Sequence, residues 1–361
     1  MKIKLLVLFL LTGISSWAQI PSNYYNSANG LTGYALKTEL HNIISNGHNP
    51  QSYDDLWTAF QTTDDDQYYE NNGKVLDIYS ENPVGNDPYE FTFINDECGN
   101  YNSEADCYNR EHLMPQSWFN ENAPMVTDIH HIYPTDGYVN GMRGHLPFGE
   151  VGSANFTSQN GSKRGNNILS GYNGMVFEPI DEFKGDVARV YFYMATRYED
   201  IIGSWENAND GSMPTFDGSS DHVFEDWMLQ MLLDWHNTDP ASQKEIDRNN
   251  DAYDYQGNAN PFISNPEYAN MIWDENWGTT SQKNTIFEIF PNPVSANILN
   301  VQFLSNRKVT IYIYDLLGKK ILEKNSTETN IQLNIGNLKS GVYLVKVSNE
   351  NSVQIKKLIR K

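Results

Sequence analysis

The chain has 361 residues, 39 % hydrophobic and 13 % aromatic, which is enough apolar material for the cores of two domains and too much for a disordered polymer. Its formal charge of -21 is uneven: residues 20–284 hold 12 Lys/Arg against 41 Asp/Glu, whereas residues 285–361 hold 11 against 5. So acidic a body excludes a partner gripped by a broad basic face, and any polyanion must be attracted locally.

Residues 1–18 open with Lys2 and Lys4, continue through the apolar run Leu5 to Leu11 and close on Ser16-Trp17-Ala18. A charged start, an apolar run too short to span a bilayer and a small residue at the expected cut predict a secretory signal peptide. No later apolar run reaches spanning length, so a mature protein without a membrane span, secreted or at the cell surface, is expected. Cys98 and Cys107 are the two cysteines, set in a polar loop. In an oxidising compartment they are expected to form a disulfide pinning the chain ahead of Arg110; a two-thiolate metal site, the alternative, lacks a second pair of ligands.

Residues 22–62 repeat apolar side chains at Leu31, Tyr34, Leu36, Leu40, Ile43 and Ile44, mostly three or four apart, which predicts amphipathic helix. Lys74 to Ser80 and Phe91 to Ile94 predict short strands that carry the cysteine loop to the edge of a small sheet. Gly185 to Tyr198 and His222 to His236 predict buried helices, and Ser242 with Glu245 fits a capping box opening a third. Residues 19–278 are therefore expected to be an α+β, mainly helical domain, followed by a polar linker over residues 279–284. In residues 285–361 the period changes to two, at Phe287-Ile289, Val301-Phe303, Val309-Tyr314, Ile331-Leu333 and Val342-Val347, with turn residues between. That pattern predicts an all-β sandwich.

The chemistry concentrates between Arg110 and Val151, which hold four of the chain's eight histidines. Glu111-His112, then His130-His131, then Arg143 supply parts for metal-assisted hydrolysis. A hard cation such as Mg²⁺ accepts a carboxylate and a neutral imidazole while keeping waters that orient a phosphate. His112, with an ordinary imidazole pKa near working pH, is the candidate base, and Arg143 the candidate phosphate clamp. On a helix His130 and His131 point about 100° apart, so one is expected as ligand and the other as packing. Each pair alone is more often a surface accident or a hydrogen-bonded core ring than a site. The residues by themselves point to a secreted metal-dependent hydrolase; a zinc peptidase, which lacks a His-Glu-x-x-His motif here, and a non-catalytic cell-surface binding protein are the alternatives.

Asn109-Arg110-Glu111-His112, Asp128-Ile129-His130-His131-Ile132-Tyr133-Pro134-Thr135-Asp136, Val139-Asn140-Gly141-Met142-Arg143-Gly144 and Leu146 to Val151 resemble the bacterial endonuclease I family, whose site is a ββα-metal or His-Me finger. Further likeness lies in Asp77-Ile78-Tyr79-Ser80, Lys184 to Arg189, Leu233 to His236 and Gln256 to Phe262. The resemblance implies a secreted endonuclease cutting DNA or RNA phosphodiesters to 5′-phosphate ends with little sequence preference, as a monomer. It implies His112 as base and Glu111 with His131 as ligands of one divalent ion, Mg²⁺, with Mn²⁺ and Ca²⁺ as substitutes. His130, Asn140, His145 and Arg189 are candidates for phosphate contact or for support behind the ligands. The pattern departs at His145, where members carry Asn, and at Ala259, where they carry Arg. Separately, Pro291-Asn292-Pro293, Tyr314 to Gly318, Leu338 to Tyr343 and the basic end Lys356 to Lys361 resemble the sorting domain read by type IX secretion machinery.

Overall fold

The computed structural model describes residues 19–209, 211–274, 287–303, 308–315, 319–348 and 353–361. The signal peptide expected over 1–18 and the linker expected over 279–284 lie outside the described residues. The chain separates into two compact units, residues 1–275 and 276–361. Among the described residues no helix is long and apolar enough to cross a membrane.

In the first unit helices dominate. α1 (Gly33–Ser45) buries Leu36, Leu40 and Ile44, one stripe at a spacing of four, as the sequence predicted. α2 (Leu56–Thr63) follows. α4 (Lys184–Arg197) is buried along almost its whole length and packs against α1 and α5 (Asp226–Thr238). α6 (Gln243–Gln256) opens with the predicted reciprocal cap: Ser242 accepts from the Glu245 amide while Glu245 accepts from the Ser242 amide. It ends at Gly257, whose φ of +83° is the left-handed turn that favours glycine. α7 (Pro261–Ser264) and α8 (Glu267–Trp273) complete the unit.

Two small sheets complement the helices. β1 (Tyr108–His112) and β2 (Ile132–Asp136) form an antiparallel pair in which Glu111 faces Tyr133 and His112 faces Ile132. α3 (Gly137–Arg143) leaves β2 at once, capped by the Asp136 carboxylate, which accepts from the Val139 amide at 2.8 Å. β3 (Val151–Thr157), β4 (Lys163–Asn167) and β5 (Met175–Glu178) form a meander that hydrophobic alternation did not reveal, because the face of β3 is largely exposed and polar.

The strands expected at 74–80 and 91–94 are not there. Val75 makes one isolated bridge to Asp65, and the chain then turns, because the Asp77 carboxylate accepts from the Tyr79 amide at 2.8 Å while its carbonyl accepts from Ser80 and Glu81. At 91–94 the Asp96 carboxylate accepts from the Thr92 amide at 2.6 Å and folds that segment into a turn. In both places a short side chain outcompetes the sheet ladder for backbone amides.

The second unit contains β6 (Phe287–Phe290), β7 (Ile298–Phe303), β8 (Val309–Asp315), β9 (Lys320–Ser326), β10 (Asn330–Asn334), β11 (Gly341–Ser348) and β12 (Val353–Arg360). They form two antiparallel sheets, β10-β7-β6 and β12-β11-β8-β9. Their inward faces, among them Ile289, Val301, Ile331, Ile311 and Val345, share one core, the sandwich that the period of two predicted.

Candidate active site

The β1-β2-α3 unit sets the site. Neighbouring residues on a strand point to opposite faces, so Glu111 and His112 leave β1 in different directions. Glu111 is buried, with Oε1 accepting from the Tyr79 hydroxyl at 3.0 Å and from Arg143 Nη1 at 3.2 Å. Burial outweighs Arg143 and raises the Glu111 carboxyl to about 7. The ring of His112 lies beside Tyr53, Phe119 and His131, and its Nε2 sits 3.2 Å from the carbonyl of Val126. A carbonyl only accepts, so Nε2 carries the proton and Nδ1 keeps the lone pair. Burial lowers the ring's pKa to about 3, well below the ordinary value expected from sequence, which leaves it neutral at physiological pH.

A cavity of about 360 Å³ opens here, and Arg110, Glu111, His112, Asn140, Arg143 and His145 are among the residues lining it. Asn140 and Arg143 are three apart on α3 and share the face turned back towards β1. The Asn140 amide donates through Nδ2 to Asn109 Oδ1 at 2.8 Å, which leaves its Oδ1 for another partner. Arg143 is 1 % exposed, and its donors reach Glu111, the carbonyl of His112 at 3.0 Å and that of Leu113 at 2.6 Å. Those contacts brace β1. His145 is exposed, with Nδ1 hydrogen bonded to the Ser117 hydroxyl.

Three expected site residues do not line the cavity. His130 and His131 occupy a tight 3₁₀ turn, Ile129–His131, ahead of β2, with no helix start beside them. His130 packs on Tyr193 and hydrogen bonds to the Asn258 carbonyl at 3.0 Å, the packing role reserved for one of the two. His131 is fully buried behind His112, with Nε2 on the Met125 carbonyl at 2.7 Å, and it does not line the cavity. Arg189 holds Glu245 through two nitrogens, at 2.5 and 2.8 Å, and the Asp239 carbonyl at 2.7 Å, a buried ion pair within the helices. Cys98 and Cys107 form the expected disulfide in the loop before β1.

Sequence reasoning passed over several contributors. Arg110 stands at the cavity with its guanidinium 3.7 Å over the Tyr53 ring and 4.4 Å over Trp57. Tyr79 fixes Glu111, and Asp77 Oδ2 accepts the Asp136 amide at 2.9 Å at the start of α3. Asp128 is held by the hydroxyls of Tyr193 and Tyr198 and the amide of Gln256, each at 2.8 Å, which anchors the turn carrying His131. Asp77, Tyr79, Asp128 and Gln256 all belong to the resemblance motifs, the one signal that singled them out. Among the described residues, one group of three or more possible metal ligands converges, Asp66, Glu70 and Glu81, outside this cavity.

Comparison with known proteins identifies the family. The endonuclease I family matches residues 32–267, and a secretion system C-terminal sorting domain matches residues 288–361. An extracellular ribonuclease of Bacillus amyloliquefaciens is 40 % identical over 254 residues, 69 % of this chain and 78 % of that one. One from Bacillus subtilis strain 168 is 38 % identical with the same coverage. Endonuclease-1 of Buchnera aphidicola subsp. Acyrthosiphon pisum is 24 % identical over 137 residues, 38 % of this chain and 44 % of that one. The peptidase and binding-module alternatives fall with these matches. The chain belongs to the endonuclease I family, a nuclease that carries a secretion sorting domain at its C-terminal end and is bound for secretion or the cell surface.

Proposed function

We propose that the chain is a metal-dependent endonuclease of the His-Me finger kind, cutting RNA and DNA backbones to leave 5′-phosphate ends, with His112 as base. The observation that carries this reading is His112 itself. Its Nε2 is committed to the Val126 carbonyl while the ring lines the cavity beside Glu111 and Asn140, so Nδ1 is the atom that takes a proton from the attacking water. Glu111, with the oxygen of Asn140, would hold the divalent ion. A buried carboxylate whose pKa stays high despite Arg143 is short of positive charge, and two oxygen donors suit a hard cation, Mg²⁺ first, with Mn²⁺ and Ca²⁺ as substitutes. When bound, the ion supplies charge stabilisation at the phosphate and the leaving oxygen.

The chain's own residues do the rest. Tyr79 and Arg143 fix the Glu111 carboxylate, and Arg143 holds the end of β1 through two carbonyls. Arg110, kept flat by Tyr53 and Trp57, meets phosphate at the cavity. RNA enters the reading because the Bacillus relatives are named ribonucleases. Backbone gripping without base contacts suits low sequence preference. The acidic first unit acts as a monomer, and the C-terminal unit presents the chain to type IX secretion machinery.

The test is cleavage of supercoiled plasmid and of single-stranded RNA. Cleavage should stop on chelation and return with Mg²⁺ but not Zn²⁺. His112→Ala should lower kcat by about 10²–10⁴. Asn140→Ala should weaken metal binding in calorimetry, whereas His131→Ala should leave it near wild type. An His112→Ala protein that cuts at the wild-type rate sinks the reading.

A further inference from the structure

Asp66, Glu70 and Glu81 come together between the loop after α2 and the turn that begins at Asp77, each offering an oxygen within 4.8 Å of the others. Asp66 is built into the backbone. Its Oδ1 accepts from the amides of Tyr68 and Tyr69, both at 3.1 Å, and its Oδ2 from those of Glu70 at 3.0 Å and Asn71 at 3.2 Å. The loop therefore wraps around one carboxylate and delivers Glu70 beside it.

Glu81 is the most buried of the three. It is 1 % exposed, and its Oε1 is buried with no hydrogen-bond partner, as is Oε2 of Glu70. Among the described residues, none of the three carboxylates makes an ion pair with Lys, Arg or His. With Asp66 already met by four amides, the uncompensated charge lies on Glu70 and the buried Glu81, whose carboxyl is pushed up to about 9 by burial and by the acids around it, and a cation between them would let Glu81 ionise.

We propose that Asp66, Glu70 and Glu81 hold a structural Ca²⁺. The donors are all oxygen, with no imidazole or thiolate in the group, which disfavours Zn²⁺. Carboxylates from an irregular loop and a turn suit the six to eight adaptable ligands of Ca²⁺ better than the strict octahedron of Mg²⁺. A secreted chain also meets calcium at concentrations that fill sites with dissociation constants of about 10⁻⁴–10⁻³ M. The ion has a definite task. It ties the 66–71 loop to the turn in which Asp77 accepts the amide at the start of α3 and Tyr79 donates to Glu111. Calcium thus stiffens the back wall of the nuclease site without entering it.

The full-length protein, stripped with EGTA, is titrated with CaCl₂ or MgCl₂ by calorimetry, and its thermal unfolding is followed by tryptophan fluorescence. At a Ca²⁺ concentration about ten times the dissociation constant, Tm should rise by about 3–6 °C. Glu111→Gln, which removes a charge from the catalytic cavity, should keep that rise, so failure of the proposed nuclease chemistry and failure of this site are separable. In the Glu111→Gln background, where the catalytic cavity no longer competes for the ion, Glu70→Gln and Glu81→Gln should lose it. In EGTA, Glu81→Gln should be at least as stable as wild type, because it removes a buried repulsion, so a folding defect is not mistaken for lost binding. The proposal is overturned if the wild type shows no calcium shift, or if the Glu70 and Glu81 variants shift as far as it does. Equal shifts of the Glu111→Gln protein with Mg²⁺ and Ca²⁺ would overturn the assignment to calcium.

Discussion

Arg143→Met separates bracing from phosphate clamping. The guanidinium gives one nitrogen to Glu111 and the His112 carbonyl and the other to the Leu113 carbonyl. Deleting it strips a buried carboxylate of its ion partner, a loss of about 3–5 kcal/mol in comparable pairs. The Leu113 carbonyl keeps the Tyr191 hydroxyl at 3.1 Å, so the His112 carbonyl is the one left short, for about 1–3 kcal/mol more. Such terms are not additive, and the methionine packs on Phe148, over which the guanidinium now lies at 4.7 Å, so about 4–6 kcal/mol is expected in total. Urea unfolding followed by tryptophan fluorescence reads this, because no tryptophan lies beyond Trp277, ahead of the first strand of the sandwich. The penalty should shrink at acid pH. Glu111, already raised to about 7, then takes a proton and no longer needs a cation. A phosphate clamp predicts the opposite pattern, near-normal stability with kcat/KM sharply reduced. An unfolding free energy within about 1 kcal/mol of wild type would refute the bracing argument.

His236 is 4 % exposed with Nε2 on the Pro266 carbonyl at 2.8 Å, and burial lowers its pKa to about 4. The unfolded chain binds a proton there below about 6.5 and the folded chain does not, so its contribution is complete above 6.5 and lost as pH falls through 4. Relative to wild type, His236→Gln should therefore gain about 2 kcal/mol between pH 7 and pH 5 in urea unfolding; a flat difference contradicts the assigned burial. The Cys98–Cys107 bridge spans nine positions, and replacing both cysteines with serine should cost about 2–3 kcal/mol. The expected readout is a lower urea midpoint, and dithiothreitol should shift the wild type to the same value; no shift in either case would show that the loop before β1 is held without the bridge.

What the sequence disclosed follows from how local the cause is. The Ser242–Glu245 cap and the stripe of α1 depend on residues within two turns, and both are present as read. The 74–80 segment misled because its strand-forming residues compete with Asp77, whose carboxylate is shared between the Tyr79 amide and the distant Asp136 amide. No window along the chain contains that second partner. The histidine pair meets the same limit. Whether His130 or His131 faces a metal depends on the backbone carrying them, and the 3₁₀ turn anchored by Asp128 aims one at Asn258 and the other at Met125. Asn140, one turn into α3, lines the cavity where neither histidine does, and it is a neutral side chain that a search for charged or imidazole groups ranks low.

Of the 12 Lys/Arg in residues 20–284, Lys37, Arg143, Arg189, Lys244 and Arg248 are buried against carboxylates, and Lys184 contacts three of them. They neutralise the protein's own acids and are spent before a nucleic acid arrives. Arg110 is the cation whose guanidinium stands at the cavity without burial against a carboxylate, its contact with the exposed Asp54 being 3.7 Å. Binding then releases few counterions: with one to three phosphate contacts, log K should fall against log salt with a slope of only about -1 to -3. The measurement is fluorescence anisotropy of a labelled duplex with the His112→Ala protein, in Mg²⁺ and after chelation. Because an acidic surface repels the backbone everywhere else, chelation should weaken binding as well as turnover. A slope of about -6 or steeper would mean that the 11 Lys/Arg of residues 285–361 hold the substrate, and the catalytic unit would no longer be the binding unit.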